Sequence, residues 1–512
     1  MPSLREKLKL RSNDLRILLL GWYIERGHFS HQPAQSVKGE KQMKKRLRRL
    51  GGALLLTISA QALSAAPLLF DRQEYAARRS RLMDKIPDGI AVILGATSPT
   101  GDREFRQGHD FAYFTGVEIP DASLIIDGIR RESVLFFTIG EKEAEGEGLP
   151  LDLVRNPKEI TGIEKVLSAE QFGAALTGLS QKTRVFYTMF KPEELGAENT
   201  NEKWNALQKT MTLNLWDGRL TRELQFVRQL RDKFPPVDVR DCSALVWDLR
   251  KIKTPAEIEV LRRAARIGVK AHNALIQSTR PGVSEKALEA VFEFVCRLEG
   301  AVDMAYMPIL MSGKNHAFGH YHKYDRTLKD GDFIILDAGP DYADYHVDIS
   351  TTFPASGTFT PRQKELYEAA LAVREVCQAN YRPGVTFKQV GAAVEAMLKE
   401  KGLERFARDF SGIIRYGGYN HMIGLATHDV TGTFAGADEV LAPGFVFACD
   451  IQLFRLEEEI GIRIEDTIAV TETGYENLSI GVPRTVAEIE ALKKTDGLLQ
   501  IAGEARLKSG KK

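Results

Sequence analysis

The apolar positions of this chain change their spacing several times, and each change predicts an element. FDRQEYAARRSRLMDKI, residues 70–86, sets Tyr75, Leu82, Met83 and Ile86 at helical spacing. GIAVILG, FAYFTG, ASLIID, SVLFFTI and VFYTM are short apolar runs between turn formers and read as strands. A charged loop, KEAEGEG, and a helix-like run from Glu159 to Leu167 fall among them. The paired prolines of RDKFPPVDVRD, 231–241, mark a linker. A helix then starts in KTPAEIEVLRRAARIG. Thr254 caps it, Pro255 suits its first position, Glu257 completes a capping box, and Ile258, Leu261, Ala265 and Gly268 form an apolar face. Further on, DFIILDAGPDYADYHVDISTTF, 332–353, reads as two strands joined by a tight connection around Gly339, Pro340 and Asp341. The pattern predicts an α/β (α+β) protein with an N-terminal α/β domain over 67–240, a second domain over 246–500 and a basic tail, 501–512.

Composition changes this picture at one end only. The chain has 512 residues, 43% of them hydrophobic and 27% charged, and a net charge of +1, so it lacks the basic surplus that neutralises nucleic-acid phosphates. MKKRLRRLGGALLLTISAQALSAAP, from Met43, has a basic segment, an apolar core and small residues near Ala62 and Ala65. That is the three-part pattern of a secretory signal peptide over 43–66, too short for a comfortable membrane span. Residues 1–42 are then an upstream extension, expected to be disordered, and the mature chain is exported, with the periplasm as the expected compartment and no stable membrane association. Export implies oxidising surroundings, yet Cys242, Cys296, Cys377 and Cys449 show no framework spacing and read as buried thiols.

Candidate chemistry gathers in the second half. Asp337 ends one apolar run and Asp348, eleven residues later, opens another. Two such carboxylates side by side repel unless something positive lies between them. His421 and His428 lie in NHMIGLATHDVTG, Asp450 ends FVFAC, and Glu465 lies in GIRIEDTIAV on a face shared with Arg463. Each has a plain alternative: a satisfied core histidine, or a surface acid paired with Arg463. Together, Asp337, Asp348, His421, Asp450 and Glu465 make a hard, oxygen-rich set suited to Mn²⁺, Mg²⁺, Co²⁺ or Zn²⁺. So many negative charges suit two divalent ions roughly 3.5–4 Å apart that share bridging carboxylates.

LDAG with an aspartate eleven residues on, HxxGLxxHD and GIRIEDTIxVTETGxENL together resemble the aminopeptidase P family, within the creatinase and prolidase group. IPDGIAVILGA, RQxxDFxYFTG and PDASLIIDG are similar to that family's N-terminal domain, so the likeness spans about residues 70–492. The resemblance implies a pita-bread catalytic domain, a centre of two divalent ions (most often Mn²⁺, with Co²⁺ or Zn²⁺ as alternatives), and removal of an N-terminal residue ahead of proline by a metal-activated water. Asp337, Asp348, His421 and Glu465 fall on metal ligands, His320 and His428 on catalytic histidines, and Arg463 on an arginine that orients a ligand. Substrates are proline-containing peptides, and a homo-oligomer, dimer or tetramer, is expected. The chain departs from the family where Asp450, Ile451 and Gln452 replace a glutamate followed by Pro-Gly, and where Gly417 replaces a histidine. The alternatives are a prolidase-like Xaa-Pro dipeptidase and a non-catalytic peptide-binding relative with a degraded metal site.

Overall fold

The structure, a computed structural model, describes residues 68–98, 105–192, 216, 220–430 and 435–509, with side chains described only as far as 503 at the C-terminal end. The upstream extension and leader expected over 1–66 lie outside the described residues. Among the described residues no helix is long and apolar enough to cross a membrane. All four cysteines are buried and free, as their spacing predicts.

The first predicted helix runs Arg72–Lys85, capped by Asp71, whose carboxylate accepts from Gln73 N at 2.8 Å. Beside it a six-stranded sheet takes the order β4-β3-β2-β1-β5-β6, built from β1 Ile90–Leu94, β2 Ser123–Asp127, β3 Glu132–Phe136, β4 Lys165–Leu167, β5 Val185–Thr188 and β6 Asp238–Asp241. Alternate residues of β1 enter different cores, Ala91 and Ile93 on one face and Ile90 and Val92 on the other. Burial on both faces explains the unbroken apolar run.

Three readings are corrected here. FAYFTG is a helix, His109–Thr115, closed by Gly116 at φ 65°. Periodicity cannot separate a short apolar run into strand or helix, and the left-handed glycine stop is the signal that decides it. RDKFPPVDVRD is not a linker: its prolines turn the chain from the helix Arg222–Lys233 into β6, which pairs in parallel with β5. The run from Glu159 to Leu167 is also shorter as a helix than expected, since Pro157–Thr161 ends at Gly162 and leads into β4.

The chain leaves β6 through the helix Ser243–Lys251 and enters Pro255–Ser278 with its capping box in place. The second large sheet takes the order β13-β14-β12-β9-β8, from β8 Ile309–Ser312, β9 Phe333–Asp337, β12 Ser350–Pro354, β13 Val446–Arg455 and β14 Ile460–Val470; β15 Tyr475–Asn477 pairs with β14. Every pairing in it is antiparallel. On β13, Phe447, Cys449, Ile451 and Leu453 enter a core shared with the helices Pro361–Asn380 and Phe387–Glu400, and Ile462, Ile464 and Ile468 of β14 join them. Each such side chain contributes about 1.5–3 kcal/mol on burial. The period of two then sends Ala448, Asp450 and Gln452, with Arg463 and Glu465, to the opposite face. One face supplies stability and the other can carry costly charge.

Asp337 and Asp348 are not joined by one tight turn. Between them the chain makes a separate hairpin, β10 Pro340–Tyr342 and β11 Tyr345–His346, which joins β7 Asp303–Met304 in a three-stranded sheet. Its turn is Ala343–Asp344, both at positive φ (55° and 63°), rather than Gly339–Asp341. Gly339 has a different duty, because a Cβ there would lie 1.7 Å from the carbonyl oxygen of Val347. That close approach closes the base of the hairpin and returns Asp348 to the site.

Candidate metal centre

Strand register builds the site. Asp450 lies opposite Glu465, Glu465 opposite Ser350, and Ser350 opposite Asp337. Residues opposite one another share a face, so β13, β14, β12 and β9 present one lateral row. Steps of two along the chain add Gln452, Arg463 and Asp348 to that face. His421 joins from the side, its carbonyl accepting from Ala448 N at 2.9 Å. Asp337, Asp348, His421, Asp450 and Glu465 are all nearly inaccessible to solvent.

The donor atoms form two groups that share one residue. Asp337, Asp348 and Glu465 can bring oxygens within 4.8 Å of one another, and so can Asp348, His421 and His428 with oxygen and nitrogen. His421 Nε2 lies 3.4 Å from Asp348 Oδ2 and 3.5 Å from Glu465 Oε1. Its other nitrogen, Nδ1, is 2.9 Å from the carbonyl oxygen of Thr427. A carbonyl only accepts, so Nδ1 carries the proton and Nε2 turns a lone pair toward the carboxylates. Both His421 Nε2 and Glu465 Oε1 are buried without a hydrogen-bond partner. Buried polar atoms are rarely left so, and two of them converging beside Asp348 fit a divalent cation.

Proton placement around the row shows the charge stress. Burial and then the charge of Asp337 push the Asp348 carboxyl well above its usual range. Burial and then Asp348 and Asp450 do the same to Glu465. Burial alone would also raise Asp337, but the Arg463 guanidinium and hydrogen bonds from Tyr306 and Asp348 hold it low. The Tyr306 hydroxyl lies 2.6 Å from Asp337 Oδ1 and also contacts Asp348 Oδ1. One phenol hydrogen serves one carboxylate at a time, so Tyr306 links the two acids without satisfying both. The pair shares a proton where a cation would otherwise hold both as anions.

Asp450 is placed differently. Arg463 Nη2 reaches its Oδ2 at 2.8 Å, Arg463 Nε lies 3.1 Å from both carboxylate oxygens, and Gln452 Nε2 donates to Oδ2 at 2.5 Å. Both oxygens are engaged, and Asp450 belongs to neither donor group. Arg463 also pairs with Asp337 and lies 3.5 Å from Glu465. His428 is half-buried, its ring centroid 4.1 Å from that of His421 at 57°. His320 is not drawn into the cluster: it is exposed on the segment after the turn Gly313–Ala317, and no hydrogen bond or ion pair links it to the row. Sequence reasoning missed Tyr306, Gln452, and Ser350, whose Oγ donates to Glu465 Oε2 at 2.7 Å. Ser350 and Gln452 were within reach of the alternation argument, being two residues from Asp348 and Asp450. Tyr306 lies between strands and carries no periodic signal.

Comparison with known proteins gives the same outline. The family model for Metallopeptidase family M24 matches residues 259–472, and that for the Aminopeptidase P, N-terminal domain matches 75–187. The chain is 31% identical over 450 residues to the Xaa-Pro aminopeptidase of Escherichia coli, covering 82% of this chain and 97% of that one. It is 26% identical to human Xaa-Pro aminopeptidase 3, covering 82% and 85%. Among solved structures it is similar to E. coli aminopeptidase P with the inhibitor Pro-Leu, at 30% identity and a TM-score of 0.66, covering 83% of this chain and 98% of that one.

Proposed function

The chain belongs to the aminopeptidase P family of M24 metallopeptidases, with an N-terminal domain and a pita-bread domain, and from that premise we propose how its residues divide the work. It is a metal-dependent Xaa-Pro aminopeptidase, removing the N-terminal residue from peptides with proline in second position. The observation that carries the assignment of the centre is the pair of three-donor groups sharing Asp348, with His421 Nε2 and Glu465 Oε1 unpartnered between them. Asp337, Asp348, His421 and Glu465 would hold two divalent ions, Mn²⁺ by preference over Co²⁺ or Zn²⁺, with Asp348 common to both donor groups. When bound, the ions supply a water of depressed pKa and polarise the carbonyl under attack. His428, packed on His421 and half-buried, donates to the oxyanion as it develops. His320, on its exposed segment, holds the incoming peptide or relays a proton. Arg463 orients Asp337, Asp450 and Glu465 together. The leader pattern over 43–66 favours export to the periplasm, and we assign the working form as a homo-oligomer free of the membrane.

The test is turnover by the purified mature chain with Mn²⁺. Peptides of the form Xaa-Pro-Yaa are expected to lose Xaa, while Xaa-Ala-Yaa controls stay intact. Cleavage of Xaa-Pro dipeptides alone would make the enzyme a dipeptidase. No turnover with metal bound would leave a peptide-binding protein.

Asp450 allows a second test. Its carboxylate is one methylene shorter than glutamate and fully engaged by Arg463 and Gln452. Asp450→Glu extends the acid by about 1.5 Å toward the donor groups. The variant is expected to bind the second ion about tenfold more tightly, a change of the size produced by altering one ligand's surroundings, as read by metal content after gel filtration. Lower occupancy would show that the site is built around the shorter acid.

A further inference from the structure

Arg106, His109 and Asp110 take no part in the centre as described, yet they are buried or half-buried. Arg106 Nη1 donates to Asp341 Oδ2 at 2.5 Å, and its Nη2 lies 3.6 Å from Asp303. Asp341 is fully buried on β10, in the hairpin between Asp337 and Asp348. Directly opposite it on β11 is His346, also buried, with Nε2 3.6 Å from Asp341 Oδ2. His346 Nδ1 lies 3.1 Å from Thr427 Oγ1, and Thr427 is the residue whose carbonyl accepts from His421 Nδ1. The ring of His109, on the helix that carries Asp110, meets the His346 ring edge-on at 6.5 Å.

A carboxylate only accepts, so a neutral His346 is best served with its proton on Nε2, facing Asp341 Oδ2 across 3.6 Å. Its Nδ1 is then the acceptor for the Thr427 hydroxyl, which also lies 3.5 Å from the Ala305 carbonyl oxygen, and the Thr427 carbonyl accepts from His421. Asp341 remains ionised because His346 and Arg106 outweigh its burial. Asp341 Oδ1 and His346 Nε2, both buried without a hydrogen-bond partner, belong to the one facing pair.

We propose that Arg106, Asp341, His346 and Thr427 are positioning residues that fix the His421 imidazole, so that seating of the first domain on the β10–β11 hairpin sets the metal affinity of the second. The proposal rests on His421 being a metal ligand. A ligand imidazole whose other nitrogen is held by an oriented acceptor is more basic and loses less freedom on binding. Here that acceptor is itself held, through His346 and Asp341, by Arg106, which lies 235 positions before Asp341 in the chain.

The experiment uses the full mature chain stripped of metal and titrated with Co²⁺, read by calorimetry and by the visible absorption of the bound ion. His346→Phe fills the space without the two nitrogens and is expected to weaken Co²⁺ binding roughly 10–100-fold and to alter the absorption band. His346→Gln can still accept from Thr427 and donate to Asp341, and is expected to return to within about threefold of the parent. Arg106→Met should weaken binding by a smaller factor, about 3–10-fold. A folded His346→Phe that matches the parent in affinity and spectrum would overturn the proposal, as would His346→Gln behaving no better than His346→Phe. If His346→Phe does not fold, Arg106→Met decides, and unchanged Co²⁺ binding overturns it. A parent chain that binds no Co²⁺ at all fails at the earlier step, the assignment of His421 as a ligand.

Discussion

Asp348→Asn is expected to abolish metal binding, to lower kcat/KM at least ~10³-fold, and to make the metal-free protein more stable. The first two effects follow from its place in both donor groups. Several kcal/mol of charge stabilisation depends on the metal, and each 1.36 kcal/mol is tenfold in rate. The stability gain has a separate cause. In the metal-free chain Asp348 is buried beside Asp337, and its carboxyl is held well above the usual range, burial first and the neighbouring charge second. A neutral amide of the same shape removes that repulsion, for a gain of about 1–3 kcal/mol at neutral pH.

The pH dependence fixes the sign. An acid whose folded-state pKa is raised binds more protons folded than unfolded, so its contribution is fully present below the unfolded pKa, about 4. It is lost as pH rises toward the folded value. Asp348 and Glu465 both behave so. The contributions of Asp348 and Glu465 should therefore fall from about pH 4 upward, and the stability of Asp348→Asn relative to the metal-free parent should rise over the same range. Urea denaturation of both proteins in chelator across that range measures it. If the variant is less stable than the parent at pH 7, Asp348 is a structural acid and its assignment as the shared ligand falls.

How far the residues announced this site depends on the kind of information each part needed. The four carboxylates and His421 stood out because each interrupts an apolar run, a cost that calls for a partner. Strand alternation correctly placed Arg463 and Glu465 on one face of β14, opposite Ile462 and Ile464. What could not be read was register. Only pairing shows that Asp450, Glu465, Ser350 and Asp337 form one row. Nor could periodicity show that the chain between Asp337 and Asp348 leaves the sheet, because a turn at Ala343–Asp344 lacks the usual glycine and relies on aspartate tolerating positive φ. FAYFTG failed for the opposite reason, since a seven-residue helix buried on most sides has no polar face to betray it. Arg106 carries no such signal, because its partner, Asp341, lies in a hairpin whose residues read as a simple turn.

Arg463→Met should destabilise the metal-free protein by about 3–5 kcal/mol, the cost of leaving buried charge unpaired, and divalent metal should recover most of that loss. Among the described residues, Arg463 is the one cation that reaches Asp337, Asp450 and Glu465 together. Burial disfavours its charge, but those three acids outweigh the penalty and hold it firmly protonated. Removing it leaves carboxylates on a face whose opposite side is an apolar core, so water cannot take over. A bound cation can. Saturation at a hundred times Kd adds about 2.7 kcal/mol per site, comparable to the loss. The measurement is the urea midpoint of parent and variant with chelator and with Mn²⁺. The parent should move modestly on adding Mn²⁺ and the variant by considerably more, since metal does for the variant what Arg463 already does in part for the parent. Equal stability in chelator would mean that the row discharges itself by protonation, with Asp348 and Glu465 neutral and Asp337 held by Tyr306. In that case Arg463 would act on Asp450 alone, and its loss would appear as misplacement of that acid rather than as lost stability.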